Sequence, residues 1–348
     1  MGQFAVPRVR AMIPHHKLVL TPAEKAAANR VLDSGLCDQG EEAAALEREL
    51  AAAFRPGDDA ACVSSGSAAL YLALAVSGVW ANDEVLIPAY SCAALYHSVR
   101  LTGARPVFLD STEDFGLDMR HLSARERACK ALVFDYPHGI VPREVTALPE
   151  WPLLIEDFTR APGLRIGGSP CGSLGDLSVI SFAGSKPLGV GGGGAVLGPH
   201  ETIQRVREMR DYDQPGLVPR FNFRMSDIHA AMVRERLKRL AADWAWRLNT
   251  ASAFLQAFID RFGPPYTCAA YDATRFLVAS SGMVGAEIVA ALVARGVEAI
   301  LPIAPGELLA REPVALTLTQ TFASVPYWPG MPDEARATVA RAIAEVLC

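Results

Sequence analysis

With 348 residues, half of them apolar, the chain is long enough for a large core and for two lobes rather than one. Its 38 acidic residues outnumber 33 basic ones, which argues against a nucleic-acid or anionic-membrane partner. Seven scattered cysteines without C-x-x-C spacing argue against a zinc site or a disulfide framework, and no apolar run forms a signal core or reaches membrane-spanning length, so a cytoplasmic protein without a metal centre is expected.

Thr21-Pro22-Ala23-Glu24 combines a cap hydroxyl, proline at the first helical position and glutamate three after the cap, which opens a helix to about Leu32, and Ser34-Gly35 ends it. Leu46, Leu50 and Phe54 repeat at helical spacing and predict a second helix over Glu41 to Phe54. Ala61-Cys62-Val63 reads as a strand that breaks at Ser64-Ser65-Gly66-Ser67 into a helix from Ala68 to Val76. From there strand and helix alternate through Glu84–Ile87, Ser91–Leu101, Pro106–Leu109, His121–Arg125, Lys130–Phe134 and Leu153–Glu156. Alternation of this kind predicts an α/β fold with a mostly parallel sheet, its ligands beyond the carboxyl ends of the strands.

Leu177 to Gly198 reads as strand, loop and strand, with Lys186 and the run Gly189-Val190-Gly191-Gly192-Gly193-Gly194 between them. Such glycines let backbone approach something closely, and a desolvated lysine is the residue type that bonds covalently to carbonyl compounds. The plainer reading is a surface lysine before a flexible hairpin. Further on, a helix over Glu201–Arg210, a loop over Asp211–Pro219 and one long helix from Ser226 to about Leu255 are expected. A smaller C-terminal α+β domain follows, with a strand at Arg275–Val278, a helix at Gly285–Arg295, a strand at Val297–Leu301 and a closing helix from Pro332 to Leu347. The expected division is 13–240 for the large domain and 241–348 for the small one.

Three stretches converge on one chemistry. Ser65, Gly66 and Ser67 lie at a strand-to-helix turn, where backbone amides and hydroxyls favour a phosphate, although an ordinary helix cap would look the same. Asp157 ends the apolar run Leu153-Leu154-Ile155, and a buried carboxylate there needs a cation such as a protonated pyridine, unless it caps the next turn. Lys186 follows. Phosphate cradle, carboxylate and lysine come in the order in which enzymes of the aspartate-aminotransferase type hold pyridoxal 5′-phosphate.

Phe221-Asn222-Phe223-Arg224-Met225-Ser226-Asp227, Ser65-Gly66-Ser67-Ala68-Ala69-Leu70, Gly172-Ser173-Leu174-Gly175-Asp176, Ser181-Phe182 before Lys186, and Gly193-Gly194-Ala195-Val196 share order and spacing with a known group. From Ile13 onward the chain resembles the DegT/DnrJ/EryC1/StrS family of PLP-dependent sugar aminotransferases. The resemblance implies the type I PLP-dependent transferase fold. It also implies that Lys186 bonds the cofactor and later moves a proton, and that Asp157 pairs with its pyridine nitrogen. The amides of Gly66 and Ser67, with the Ser181 hydroxyl, would bind the phosphate. Asn222 would reach the cofactor of a neighbouring subunit, making the active unit a homodimer with small-molecule amino donor and keto acceptor.

Three positions depart from the family pattern. Cys92 follows Ser91 where an aromatic usually stacks on the cofactor ring, with Tyr90 as the nearest substitute. Arg160 stands where Gln or His usually lies near the phenolic oxygen, and a guanidinium can serve there as cation and donor. Leu301-Pro302-Ile303-Ala304-Pro305 lacks the usual His and Tyr. The resemblance implies glutamate or glutamine as donor and a nucleotide-linked keto-sugar as acceptor; a non-sugar ketone or aldehyde, or a catalytically silent PLP-binding subunit, are the alternatives. The glycine run also fits G-x-G-x-x-G, but it lies between two strands and so does not suit a dinucleotide.

Overall fold

The computed structural model describes residues 12–347 except 121, 142–149, 167, 214–218, 263–267, 270–274 and 281, and it leaves out the side chains of 255–274. Helix α1 (Pro22–Ser34) starts on the expected capping box, Thr21 and Glu24 each taking the other's backbone N–H, and stops at Gly35 with φ 70°. Helix α2 (Glu41–Phe54) leads into strand β1 (Asp59–Val63) and helix α3 (Gly66–Val76). Next come β2 (Glu84–Pro88), α4 (Ala93–Leu101), β3 (Arg105–Leu109), the short α5 (Ala124–Arg127), β4 (Ala131–Asp135) and β5 (Leu154–Asp157). The predicted helix at His121–Arg125 begins later because Ser123 is its cap; His121 lies outside the described residues.

A two-stranded ribbon, β6 (Arg165–Ile166) and β7 (Ser169–Pro170), precedes the hairpin strands β8 (Leu177–Ser181) and β9 (Gly194–Gly198) and helix α6 (His200–Arg210). The large sheet runs β1-β9-β8-β5-β4-β2-β3, parallel except that β9 is antiparallel to both neighbours. Period-two alternation divides its side chains between two layers. Val63, Val133, Ile155, Val179 and Val196 pack with α3, while Cys62, Phe134, Ile180 and Ala195 pack with α2 on the other face. Helix α3 is buried all round from Ala68 to Val76, which accounts for its unbroken apolar sequence.

The long helix expected from Ser226 is two helices, α7 (Asp227–Lys238) and α8 (Leu240–Phe262), broken at Arg239 (φ −101°, ψ 1°). No glycine or proline marks the break. Arg236 is fixed on one side of it by Glu24, at 2.7 Å, and beyond it Leu240 and Trp244 pack into the large core, the Trp244 indole donating to Pro162 O at 2.6 Å. These long-range partners turn α8 out of line.

Beyond α8, β10 (Cys268–Ala269), β11 (Phe276–Val278), α9 (Gly285–Val293), α10 (Pro313–Thr321), β12 (Ala323–Val325) and α11 (Asp333–Leu347) follow in order. The three strands form one antiparallel sheet whose core includes Phe276, Ile288, Val325 and Val339. Val297–Leu301 is not a strand. Its hydrogen bonds divide between Ile13 on one side and Ser324 on the other, leaving isolated bridges instead of a ladder.

Candidate active site

The carboxyl ends of β4, β5 and β8 and the start of α3 open into one cavity of about 560 Å³, whose lining also includes Arg275, Pro302, Ile303 and Glu307. Ser65, Gly66, Ser67, Cys92, Asp157, Arg160, Ser181 and Lys186 all line it. Four widely separated stretches of sequence are thereby brought together.

The cradle end is set by close packing. Ser65 is the N-cap of α3, its Oγ accepting from Ala68 N at 3.1 Å, so the plain capping reading holds for that hydroxyl while Ser67 faces the cavity. A Cβ on Gly66 would stand 2.6 Å from Ser181 Cβ, so only glycine lets the helix start lie against β8. A Cβ on Gly194 would meet Ser65 C at 2.7 Å and Gly66 N at 2.8 Å. The glycine run therefore presses the second hairpin strand onto the α3 turn, the close approach its composition predicted.

Lys186 is not on a floppy hairpin. Its N–H donates to Ala183 O at 2.9 Å, its carbonyl accepts from Gly189 N at 2.8 Å, and Phe182 and Gly193 close the loop base. A Cβ on Gly189 would lie 2.2 Å from Ala183 O, so that turn tolerates no side chain. Arg236, paired with the fully buried Glu24, donates to Gly189 O and Val19 O and clamps the loop from below. Burial and the nearby Arg160 charge bring the Lys186 ammonium down to about 8, even though Cys92 and Asp157 oppose this.

Asp157 has one oxygen fixed by Thr159 N at 3.0 Å, and Thr159 Oγ1 in turn accepts from Ser181 N at 2.9 Å, tying β5 to β8. Burial raises its pKa, against the hydrogen bonds from Thr159 and the charges of Lys186 and Arg160. Its neighbour Glu156 points to the opposite face and takes the hydroxyl of Tyr136 and the amides of Gly172, Leu174 and Gly175 at 2.6–3.3 Å. That seat explains the Gly172–Asp176 motif as architecture.

One expectation changes. Tyr90 cannot stand in for a ring-stacking aromatic: it is fully buried, bonds His138 Nε2 at 2.9 Å, packs on Phe115 and does not line the cavity. Asn222 is exposed and lies outside this cavity, bridged to Asp211. The rest of its signature is structural on this chain. Arg224 pairs with Asp211 and Asp213, Ser226 caps α7, and Asp227 accepts from the amides of Gly40, Glu42 and Ala43 at 2.8–3.0 Å, capping α2 where Gly40 has no side chain to do so.

Sequence reasoning missed Asp135, His138, Thr159 and Arg275, all cavity-lining. Asp135 was within reach, since it ends an apolar strand just as Asp157 does and is its register partner. Ser91 Oγ donates to its Oδ2 at 2.8 Å, its Oδ1 is buried without a partner, and burial together with the Asp157 charge raises it to about 7. His138 holds φ 61°, an unusual backbone for a buried residue of its size. No sequence signal marks Arg275, which tertiary folding alone brings here.

The family model for the DegT/DnrJ/EryC1/StrS aminotransferase family matches residues 19–142 and 149–344. The chain belongs to this aminotransferase family. Among relatives of this family member, the dTDP-3-amino-3,4,6-trideoxy-alpha-D-glucose transaminase of Streptomyces venezuelae is 34% identical over 244 residues, covering 66% of this chain and 63% of the relative. GDP-perosamine synthase of Escherichia coli O157:H7 is 30% identical over 243 residues, 65% of this chain and 66% of the relative. The chain thus spans just under two thirds of the curated relatives it matches. Among solved structures, S. venezuelae DesV in complex with a ketimine intermediate superposes with a TM-score of 0.82 at 27% identity, over 97% of each chain to within one percentage point. The aminotransferase fold of the family is thereby shown, and the family's cofactor is pyridoxal 5′-phosphate.

Proposed function

We propose that this protein is a PLP-dependent aminotransferase that takes an amine from an amino acid, most simply glutamate, and passes it to a carbonyl acceptor, a nucleotide-linked keto-sugar as in the relatives. The observation that carries the reading is the meeting of Lys186, Asp157 and the Ser65–Ser67 helix start in one cavity. The residues fit the cofactor. Gly66 packs so closely on Ser181 that no Cβ fits at the α3 turn, and the Asp157 carboxylate and a lysine shifted toward its neutral form line the same cavity.

In this reading Gly66, Ser67 and Ser181 hold the phosphate, with Ser65 shaping the turn. Asp157, kept in place by Thr159, holds the proton on the ring nitrogen. Arg160 would offer a cation and donor to the cofactor's phenolic oxygen, and Cys92, the N-cap of α4, lines the same cavity. When bound, the cofactor supplies the electron sink that lets an amine change partners. Lys186 Nζ, brought down to about 8, would be the base that takes the proton from the substrate carbon.

The same reading makes the active unit a cytoplasmic homodimer, with Asn222 serving the partner's cofactor. Asn222 stands exposed beside a segment in which Leu36 is 77% exposed, and Ser226 Oγ and Met225 N tie the two stretches together through Cys37 and Gln39. We divide each chain at 13–240 and 241–348, with α8 as the bridge. Leu240 packs in the large core and Phe254 in the small one.

The deciding test is the absorbance of purified protein with PLP before and after excess glutamate. A visible band of lysine-bound cofactor that moves to the shorter wavelength of the aminated cofactor supports the reading. A band that ignores every amino donor indicates a silent cofactor-binding subunit, and no band overturns the cofactor assignment.

A further inference from the structure

The cavity has a second cationic end, built from residues other than those assigned to the cofactor phosphate. The phosphate cradle lies at α3, whereas Arg275, just before β11, enters from the small-lobe wall with Pro302, Ile303 and Glu307. Its guanidinium is held by one hydrogen bond, to Pro302 O at 2.9 Å, and it forms no ion pair among the described residues. Arg160 shares the cavity. Burial and the Arg160 charge lower Arg275 to about 9, against the opposing charges of Tyr90 and Glu307, and burial with Arg275 brings nearby His15 down to about 3; among the described residues no carboxylate comes within ion-pair distance of Arg275. A buried guanidinium kept short of a counter-ion is completed by one from a ligand, and its fork suits a carboxylate.

We propose that Arg275, backed by Arg160, receives the carboxylate of the amino donor. The inference rests on the aminotransferase reading and adds the group that orients the donor. Position favours a carboxylate over the diphosphate of a sugar nucleotide. Arg275 lines the same cavity as Lys186, where the reacting carbon must sit. The carboxylate of an α-amino acid is one bond from that carbon, whereas a sugar-linked diphosphate lies across the ring from it.

Glutarate, a dicarboxylate with no amine or carbonyl, is a suitable probe, titrated calorimetrically into protein with and without PLP. Arg275→Gln is expected to weaken glutarate by about tenfold or more and to slow the glutamate half-reaction similarly, with the cofactor band unchanged. Arg275→Lys, which keeps the charge but loses the fork, should lie between the two and serves as the test if the Gln variant does not fold. Glutarate binding that is absent from the wild type, or equal in wild type and variant, overturns the proposal. So does a variant that loses only affinity for dTDP, which would assign the guanidinium to the acceptor. Failure of the wider reading is distinct: it is the absence of any cofactor band, and glutarate binding to the cofactor-free protein still decides the role of Arg275.

Discussion

Lys186 is costly to keep charged where it stands, and that cost is its chemistry. At about 8 rather than an ordinary lysine value, roughly a tenth of its side chains are neutral at pH 7. Only the neutral amine attacks a carbonyl, so the rate at which cofactor-free protein captures PLP should climb with pH and reach half its plateau near 8. Replacing Arg160 with Gln removes a like charge, raises the lysine and should shift the profile to higher pH; stopped-flow profiles that coincide would rule out the Arg160 effect. Lys186→Ala should leave no cofactor that borohydride can fix. Asp135 supplies a stability prediction of opposite sense. Its folded value near 7 lies above 3.8, so the folded state holds the proton more tightly, and stability present below about pH 4 is lost as pH rises toward 7. Asp135→Asn, which still accepts from Ser91, should therefore melt above wild type at pH 8 and lose that advantage at pH 4.

Among the elements, the signature around Asn222 works as scaffold as much as chemistry. Asp227 closes the open start of α2 through three backbone amides, so Asp227→Ala should cost about 2–4 kcal/mol by denaturant titration, the typical effect of losing a charged cap with several N–H partners. A substitution that left the midpoint unchanged would refute this role. The glycine run is explained by contact between elements rather than by flexibility. Gly194→Ala drives a methyl into the backbone of Ser65 and Gly66, which cannot yield as a side chain tip can. It should weaken PLP binding measurably even where the protein still folds, because the strain falls on the cradle. The buried Glu24–Arg236 pair acts on the loop of Lys186 in the same way, from α1 and α7.

For the molecule as a whole, the proposed dimer makes two claims that can be measured. Sedimentation should give about twice the chain mass of 37.3 kDa. Asn222→Ala should weaken PLP binding, yet a hybrid of Asn222→Ala chains with Lys186→Ala chains should regain one site of normal affinity, since each chain supplies what the other lacks. A hybrid with no such site would mean that Asn222 does not serve its partner.

Local signals in the sequence determined much of this protein. Thr21 with Glu24, the alternating apolar strands and the glycines beside Lys186 state their structures within a few residues, because caps, pleat and steric room act over that distance. The lysine, the β5 carboxylate and the α3 turn were legible as separate pieces for the same reason. What only the tertiary structure decided was who meets whom. The break at Arg239 arises from contacts with Glu24 and Pro162, far away in the chain. Val297–Leu301 divides its hydrogen bonds between Ile13 and Ser324. Tyr90 turns from the cavity to His138, and Arg275 arrives in the cavity from the other lobe. Each of these depends on partners separated by tens or hundreds of residues, and a sequence pattern, which reports only local period and propensity, carries no term for them.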